Sequence, residues 1–299
     1  MRAAGPEGIM ERLLLWLSAR PRTAAAITTA YIAAVIASHE LIQISVIWCY
    51  DRYGRGSVNR VVHICGVAAA VAFAIYVVRH LARPAKRGVK AAYLAITLGM
   101  MAASWPVFFY TDIEVVHFPQ YAVLAVLIFA RSGSFARTMF YVALVGAVDE
   151  AVQFYVVHPN WGINLDLNDM VYNALGGGLG CTLVYLAVEG RFEPSRRKGR
   201  LSGLARVTPV LIVLALVAGG VVLSRAGLFG LDPRPDGSRP RFVVRRNGPP
   251  RQFWHHTSWG KSYHELSPGE AGVIGLALFA LYGGLDLSGR RRGSSESEY

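Results

Sequence analysis

Charge is what this sequence has little of. Only 17% of its 299 residues are Asp, Glu, Lys or Arg, against roughly 25% in a soluble domain. The few charges are segregated, so that long stretches carry none at all. That excludes a soluble enzyme. Cysteine is scarce too: Cys49, Cys65 and Cys181 match no metal-ligand or redox spacing. Cys49 and Cys65 fall near the same end of neighbouring apolar segments, which leaves pairing open, although two inert apolar thiols are the simpler reading. No zinc-type histidine spacing occurs, and no short apolar core with a small-residue cleavage site opens the chain. The stretch RLLLWLSARPR from Arg12 to Arg22 is too short for a span and ends in arginines. It reads as an interfacial amphipathic turn, with the first span serving as its own uncleaved signal.

What is present is apolar length. Hydrophobic residues make up 53% of the chain, and a bilayer core of about 30 Å needs roughly 20 of them in succession. Candidate spans fall at 23–49, 61–79, 91–110, 115–130, 138–157, 169–188, 207–224 and 269–288. The expected fold is therefore all-α: a polytopic transmembrane helical bundle of about eight spans. Three regions follow along the chain, 1–90 with two spans, 91–190, and 191–299 with two more spans around a long loop at 225–268.

The net charge is +12, which in a soluble protein would suggest nucleic acid. Here basic residues flank spans and hold loops in the cytoplasm, and nucleic-acid binding is disfavoured. With the N-terminus inside, the inner segments hold Arg2, Arg12, Arg20, Arg22, Arg79, Arg83, Lys86, Arg87, Lys90, Arg131 and Arg137. The segment from Arg191 to Arg206 and the tail from Arg290 continue the series, while the short outer loops hold only Arg52, Arg55 and Arg60. The reading is a multi-pass protein of the inner membrane with both termini cytoplasmic. The basic outer loop from Arg225 to Pro268 is the exception, and long loops obey the charge rule less strictly.

One internal similarity appears without gaps at an offset of 110: YIAAVIASHELIQISV from Tyr31 lies over YVALVGAVDEAVQFYV from Tyr141. Glu40 meets Glu150 and Gln43 meets Gln153. A parallel repeat of four plus four spans is the expectation, with His39 and Glu40 an ion-paired relic of a duplicated site.

Ionisable groups within spans cost a few kcal/mol each and by default mark function. They gather in the second half. Asp112, Glu114 and His117 stand at the turn between spans three and four; Asp149, Glu150 and Gln153 end the fifth; His158, Asn160, Asp166, Asp169 and Asn173 follow in the next loop and span. His117 and Tyr121 are spaced i,i+4, as are Asp169 and Asn173, and Glu150 and Gln153 are i,i+3, so each pair shares a helix face. Taken alone, Asp166 reads equally as a helix cap. The run GGGLG at Gly176–Gly180 lies inside a span and reads as a close helix contact rather than a phosphate loop.

These motifs, DIEVVHFPQY, EAVQ and DLNDMVYNALGGGLG, resemble the VanZ-like family of bacterial membrane proteins over roughly Tyr93 to Gly190. Asp112, His117, Phe118, Tyr121, Glu150, Gln153, Asp166, Asp169, Asn173 and Gly176 take the places of the family pattern. Ile163 departs from it, standing where the family commonly carries an arginine. The resemblance implies a cell-envelope role, with the family's namesake associated with reduced glycopeptide (teicoplanin) susceptibility, and it brings no settled biochemical activity.

Two functions compete. One is an enzyme on a lipid or lipid-linked envelope substrate at the outer leaflet, with Glu150 or Asp169 as general base and His117 as general acid. Gln153, Asp166 and Asn173 complete that catalytic set, and Asp112, Tyr121 and His158 bind. The carboxylates could alternatively hold a hard divalent ion. The other function is a transporter or lipid-handling protein, with the same carboxylates relaying protons or gripping a headgroup. A purely structural role is the third reading and the weakest, since interhelical hydrogen bonds in lipid average only about 0.6 kcal/mol. The residues specify no cofactor, and the bilayer is the one partner they require. The loop at 225–268 is expected to fold over the mouth of the site, its aromatic part Trp254, Trp259 and Tyr263 lying at the interface.

Overall fold

Helices account for nearly all the regular structure, as the apolar runs require: within a bilayer each backbone polar group must be satisfied inside its own segment. The computed structural model describes residues 8–81, 86–157, 165–188, 200–231, 241–244, 252–258 and 260–290, leaving aside the side chains at 39, 40, 43, 200–206 and 288–290. The helices are α1 (Ile9–Ala19), α2 (Pro21–Tyr53), α3 (Arg55–Leu81), α4 (Arg87–Phe108) and α5 (His117–Ser132). They continue with α6 (Phe135–Val152), α7 (Leu167–Val188), α8 (Arg200–Arg225), α9 (Pro268–Gly283) and α10 (Leu285–Arg290). Among the described residues, seven segments are long and apolar enough to cross a membrane: α3, α4, α5 with the turn before it, α6 with the turn after it, α7, the apolar part of α8, and α9 running into α10. The first expected span, 23–49, lies within the 33 residues of α2. The chain is an all-α helical bundle with the architecture of a multi-pass membrane protein.

Burial ranks the helices. The apolar stretch of α7 is 89% buried and that of α8 0%, so α7 is the axis of the bundle and α8 an outer helix. α5 packs along α7, and α4, α6 and α9 complete the ring. Lipid is as apolar as leucine, so such helices associate by close packing rather than by burial from water. The glycine run supplies that closeness. A Cβ at Gly176 would stand 2.8 Å from the carbonyl oxygens of His117 and Phe118, and one at Gly177 would stand 2.5 Å from Val142. Gly178 lies against the Tyr282 ring of α9, and Gly180 against the Ala122 carbonyl of α5. Three neighbours thus meet α7 on three faces, each at a glycine.

Between α7 and α9, Tyr282 hydrogen-bonds Thr97 at 2.8 Å, and Thr97 reaches Thr182 at 3.1 Å. Capping is also exchanged between helices. Asp286 of α10 accepts from Ser134 Oγ at 2.7 Å and from the backbone N–H groups of Phe135 and Ala136 at 2.9 and 3.1 Å, satisfying donors that a helix start leaves orphaned.

Two expectations need revision. The Arg12–Arg22 stretch is more than a turn: α1 is an eleven-residue helix with Leu14 and Leu17 buried in the core. Its Trp16 and Leu13 stay exposed, and Arg20 lies over the Trp16 ring. All three cysteines are free, with Cys65 exposed and Cys181 buried, so Cys49 and Cys65 are not bridged. The repeat hypothesis turned on Glu40 and Gln43, whose side chains lie outside the described residues, as does that of His39.

Candidate functional site

The polar residues meet at one end of the bundle, where α4 and α6 finish and α5, α7 and α9 begin. Local sequence explains how each side chain gets there. After α4 the chain makes a 3₁₀ turn, Asp112–Val116, closed by a capping box. Glu114 accepts from the N–H groups of Tyr110 and Thr111 at 3.0 and 2.8 Å, and Thr111 completes the box. This turn delivers His117 to the first position of α5. α6 ends in a π-helical turn, Gln153–Val157, a form that recurs at functional sites. Asp149 and Glu150 lie in the last turn before it. At the start of α7, Asp166 caps the helix, its Oδ1 accepting from the N–H groups of Asn168 and Asp169 at 2.9 and 3.1 Å.

His117 is the hub. Its Nδ1 lies 2.8 Å from Asn173 Oδ1 and its Nε2 lies 3.5 Å from Asp169 Oδ2. Both ring nitrogens face oxygen acceptors, and a doubly protonated ring satisfies both. The i,i+4 spacing of Asp169 and Asn173 lets one helix face grip the ring from both sides. Gly146 makes room: a Cβ there would stand 2.9 Å from the Asn173 Cβ. Tyr121, one turn along α5 from His117, donates to Asp149 Oδ2 at 3.0 Å, and Gln153 donates to Glu150 Oε1 at 3.4 Å. Asp169 is close enough to act electrostatically on Glu114, Glu150, Asp166 and Tyr172. Asp149 and Asp169 are 1% and 8% exposed, whereas Asp166 is exposed at the mouth. The residue is exposed as a whole, but its carboxyl is tucked onto the start of α7, and desolvation there, with Asp169 beside it, pushes its pKa up to about 7.

Several polar atoms in this cluster are buried and lack any partner among the described residues: Asp149 Oδ1, Asp169 Oδ1, Tyr172 OH and Asn173 Nδ2. Buried polar groups are normally paired, so four such atoms around one histidine mark a place prepared for something polar. Among the described residues, no group of three or more His, Cys, Asp or Glu is arranged to hold a metal ion, so the geometry does not support the divalent-ion alternative.

The structure thus brings together His117, Tyr121, Glu150, Gln153, Asp166, Asp169 and Asn173. Asp112 stands apart at the rim, 3.0 Å from Lys261 Nζ and 3.5 Å from His63 Nε2, engaged by the long loop instead of the cluster. His158, Asn160 and Ile163 lie outside the described residues. Sequence reasoning did not single out Tyr172 or Asn168, and it noted Asp149 without giving it a place in the site. Tyr172 sits among Phe109 and Phe118, at ring distances of 4.4 and 6.0 Å, where a tyrosine looks like core. The i,i+3 step from Asp169 to Tyr172 was the available signal.

The described parts of the long loop lie on this same end. His264 N–H donates to Val107 O at 2.6 Å, and Asn168 Nδ2 donates to Phe108 O and His264 O at 2.9 and 2.8 Å. Leu266 N–H returns a bond to Asn168 Oδ1 at 2.9 Å. Short strand pairs stiffen the loop, with Phe229–Gly230 against Phe242–Val243 and His255–His256 against Ser262–Tyr263. Leu165 N–H reaches Val244 O at 3.1 Å, and Tyr263 packs on Tyr110. Trp254 is exposed, and Trp259 lies outside the described residues. Besides desolvation, the charges acting on Asp166 are those of Asp169, Glu265 and His117, while Arg241 of the loop lies over Phe242. No protein-family model, curated protein or solved structure matches this chain.

Proposed function

We propose that this chain is a VanZ-like protein of the bacterial inner membrane, both termini cytoplasmic, whose acidic cluster works on a lipid or lipid-linked cell-envelope molecule at the outer leaflet. The observation that carries this reading is the set of four buried, unpartnered polar atoms around His117. Residues that only tie helices together satisfy one another; a working site keeps groups free for its substrate. The basic residues support the orientation. Arg12, Arg20, Arg22, Arg79, Lys86, Arg87, Arg131 and Arg137 all belong to the end opposite the cluster, as the positive-inside rule requires of a cytoplasmic face.

The arrangement suits proton transfer. His117, held at both nitrogens, is a positioned general acid, and Glu150, steadied by Gln153, is the base on the facing helix. Asp169 orients the ring and balances its charge. The loop over α4 and α7 keeps bulk water from the buried carboxylates. Through the envelope molecule it alters, the protein would modulate susceptibility to glycopeptides such as teicoplanin.

The test is an unbiased profile of lipids and cell-wall precursors in cells with and without the protein, repeated with Glu150→Gln. A species that accumulates without the protein and equally with the variant supports catalysis at this site. An unchanged profile, with directional movement of a lipid or protons in proteoliposomes, supports the transporter reading instead.

A further inference from the structure

The unpartnered atoms also describe what would fill them. Asp149 and Asp169 each have one oxygen committed, to Tyr121 and to His117, and the other buried without a donor. Beside these two open acceptors stand two open donors, Asn173 Nδ2 and Tyr172 OH. Both aspartates act electrostatically on Glu150 and on Tyr121, so the open acceptors belong to one cluster. Its charge is lopsided. Glu114, Asp166 and Asp169 act on His117, Asp149 and Glu150 stand beside Tyr121, and Lys261 is spent on Asp112 at the rim. A phosphate or carboxylate entering here meets carboxylates at every turn, and like charges brought together out of water repel strongly. An ammonium group meets the opposite field and brings the donors that the two aspartates lack.

Resting on the reading of this cluster as a substrate site, we infer that the group it takes is a primary amine next to an oxygen, of the ethanolamine or amino-sugar kind. The ammonium lies between Asp149 and Asp169, and the neighbouring oxygen accepts from Asn173 and Tyr172. Two molecules could present that group, a membrane lipid headgroup or a free amino compound, and the chemistry recognised is the same.

The experiment uses the full native chain in detergent, titrated calorimetrically with ethanolamine against ethylene glycol, and with glucosamine against glucose. Orthophosphate is the anion control. A site with buried carboxylates awaiting donors rejects the isosteric alcohol by at least about tenfold. Ethanolamine binding that exceeds ethylene glycol binding by this factor supports the inference. Equal binding of the two, preference for orthophosphate, or no binding at all (the atoms then being met by water alone) overturns it. Asp149→Asn and Asp169→Asn should each abolish the preference, and Glu11→Gln, on α1, should keep it. The native-chain comparison decides even if a variant fails to fold. Nanodiscs of phosphatidylglycerol with and without phosphatidylethanolamine separate the sources. Loss of ethanolamine binding only in discs containing phosphatidylethanolamine assigns the site to the lipid, and retention in both assigns it to a free amine. Amine selectivity that persists while Glu150→Gln leaves the envelope profile unchanged would defeat the functional reading and leave the amine site standing. A changed profile without amine selectivity would do the reverse.

Discussion

Replacing Asn168 with alanine should release the loop from the site end of the bundle. The side chain is 5% exposed and makes three hydrogen bonds at 2.8–2.9 Å, two donated to Phe108 O and His264 O and one accepted from Leu266 N–H. At about 1 kcal/mol net for each bond, the loss is about 3 kcal/mol. Withdrawing a partner from buried backbone groups adds to it, and water entering at the bundle end takes some back, for a range of about 2–4 kcal/mol. The cost falls on one place: the segment from His264 to Leu266, fastened to α4 and α7 through this asparagine. Hydrogen exchange reads it directly. A local loss of about 3 kcal/mol lowers protection at the Leu266 amide by about two orders of magnitude. Amides in the middle of α7 should change far less, since the glycine contacts that hold α7 to its neighbours are untouched. Unchanged exchange at Leu266, or an equal loss throughout the bundle, would refute the idea that Asn168 fastens the loop.

Gly178→Ala should drive α7 and α9 apart, because the new methyl meets the Tyr282 ring; a cost of about 1–3 kcal/mol appears as a lower Tm, while Gly275→Ala, which meets open space, leaves Tm nearly unchanged. Asp286→Ala removes three bonds at the start of α6 and should cost about 1–2 kcal/mol, read in the same melt; a Tm equal to the native value would contradict the cap. Asp166 supplies a pH dependence: its pKa in the folded chain is raised to about 7, against about 3.9 unfolded, so the folded chain holds a proton that the unfolded chain releases. Its stabilising contribution is therefore complete below about pH 4 and lost as pH rises through about 7. The difference in Tm between the native chain and Asp166→Asn should fall across that window, and a flat difference would mean that Asp166 titrates as an ordinary surface acid.

Hydropathy located the apolar middles of the helices well and their ends poorly. The spans 61–79 and 207–224 are the interiors of helices at Arg55–Leu81 and Arg200–Arg225. Helices run on past the hydrocarbon, where polar residues no longer interrupt them, and a hydrophobic run cannot mark that extension. The cluster was legible because charge inside a span is expensive, so each buried carboxylate stood out against its surroundings. Asn168 was not, since a side chain that serves backbone groups distant in sequence leaves no periodicity to read. Asp112 misled for the opposite reason. It shares the motif and the acidity, but its partner Lys261 lies 149 residues further on, and only the folded loop brings the two together.

The division of labour along α7 explains why the site sits where it does. At Gly176, Gly177, Gly178 and Gly180 the helix presents no side chain to α5, α6 and α9, and the backbones close in until lipid and water are excluded. One to two turns earlier come Asp169, Tyr172 and Asn173, on the same helix and all buried, with unpartnered atoms on all three. A carboxylate can be held open inside a membrane bundle only if the scaffold around it does not collapse to satisfy it. The glycine contacts supply that rigidity, because helices packed backbone to backbone cannot slide closer. Gly146 does the same from α6, leaving Asn173 space while the facing helix stays near. The polar cluster and the glycine run are thus one device. Bulk added at Gly176, which abuts the His117 and Phe118 carbonyls, should disturb the His117 ring as surely as a change at Asp169 would.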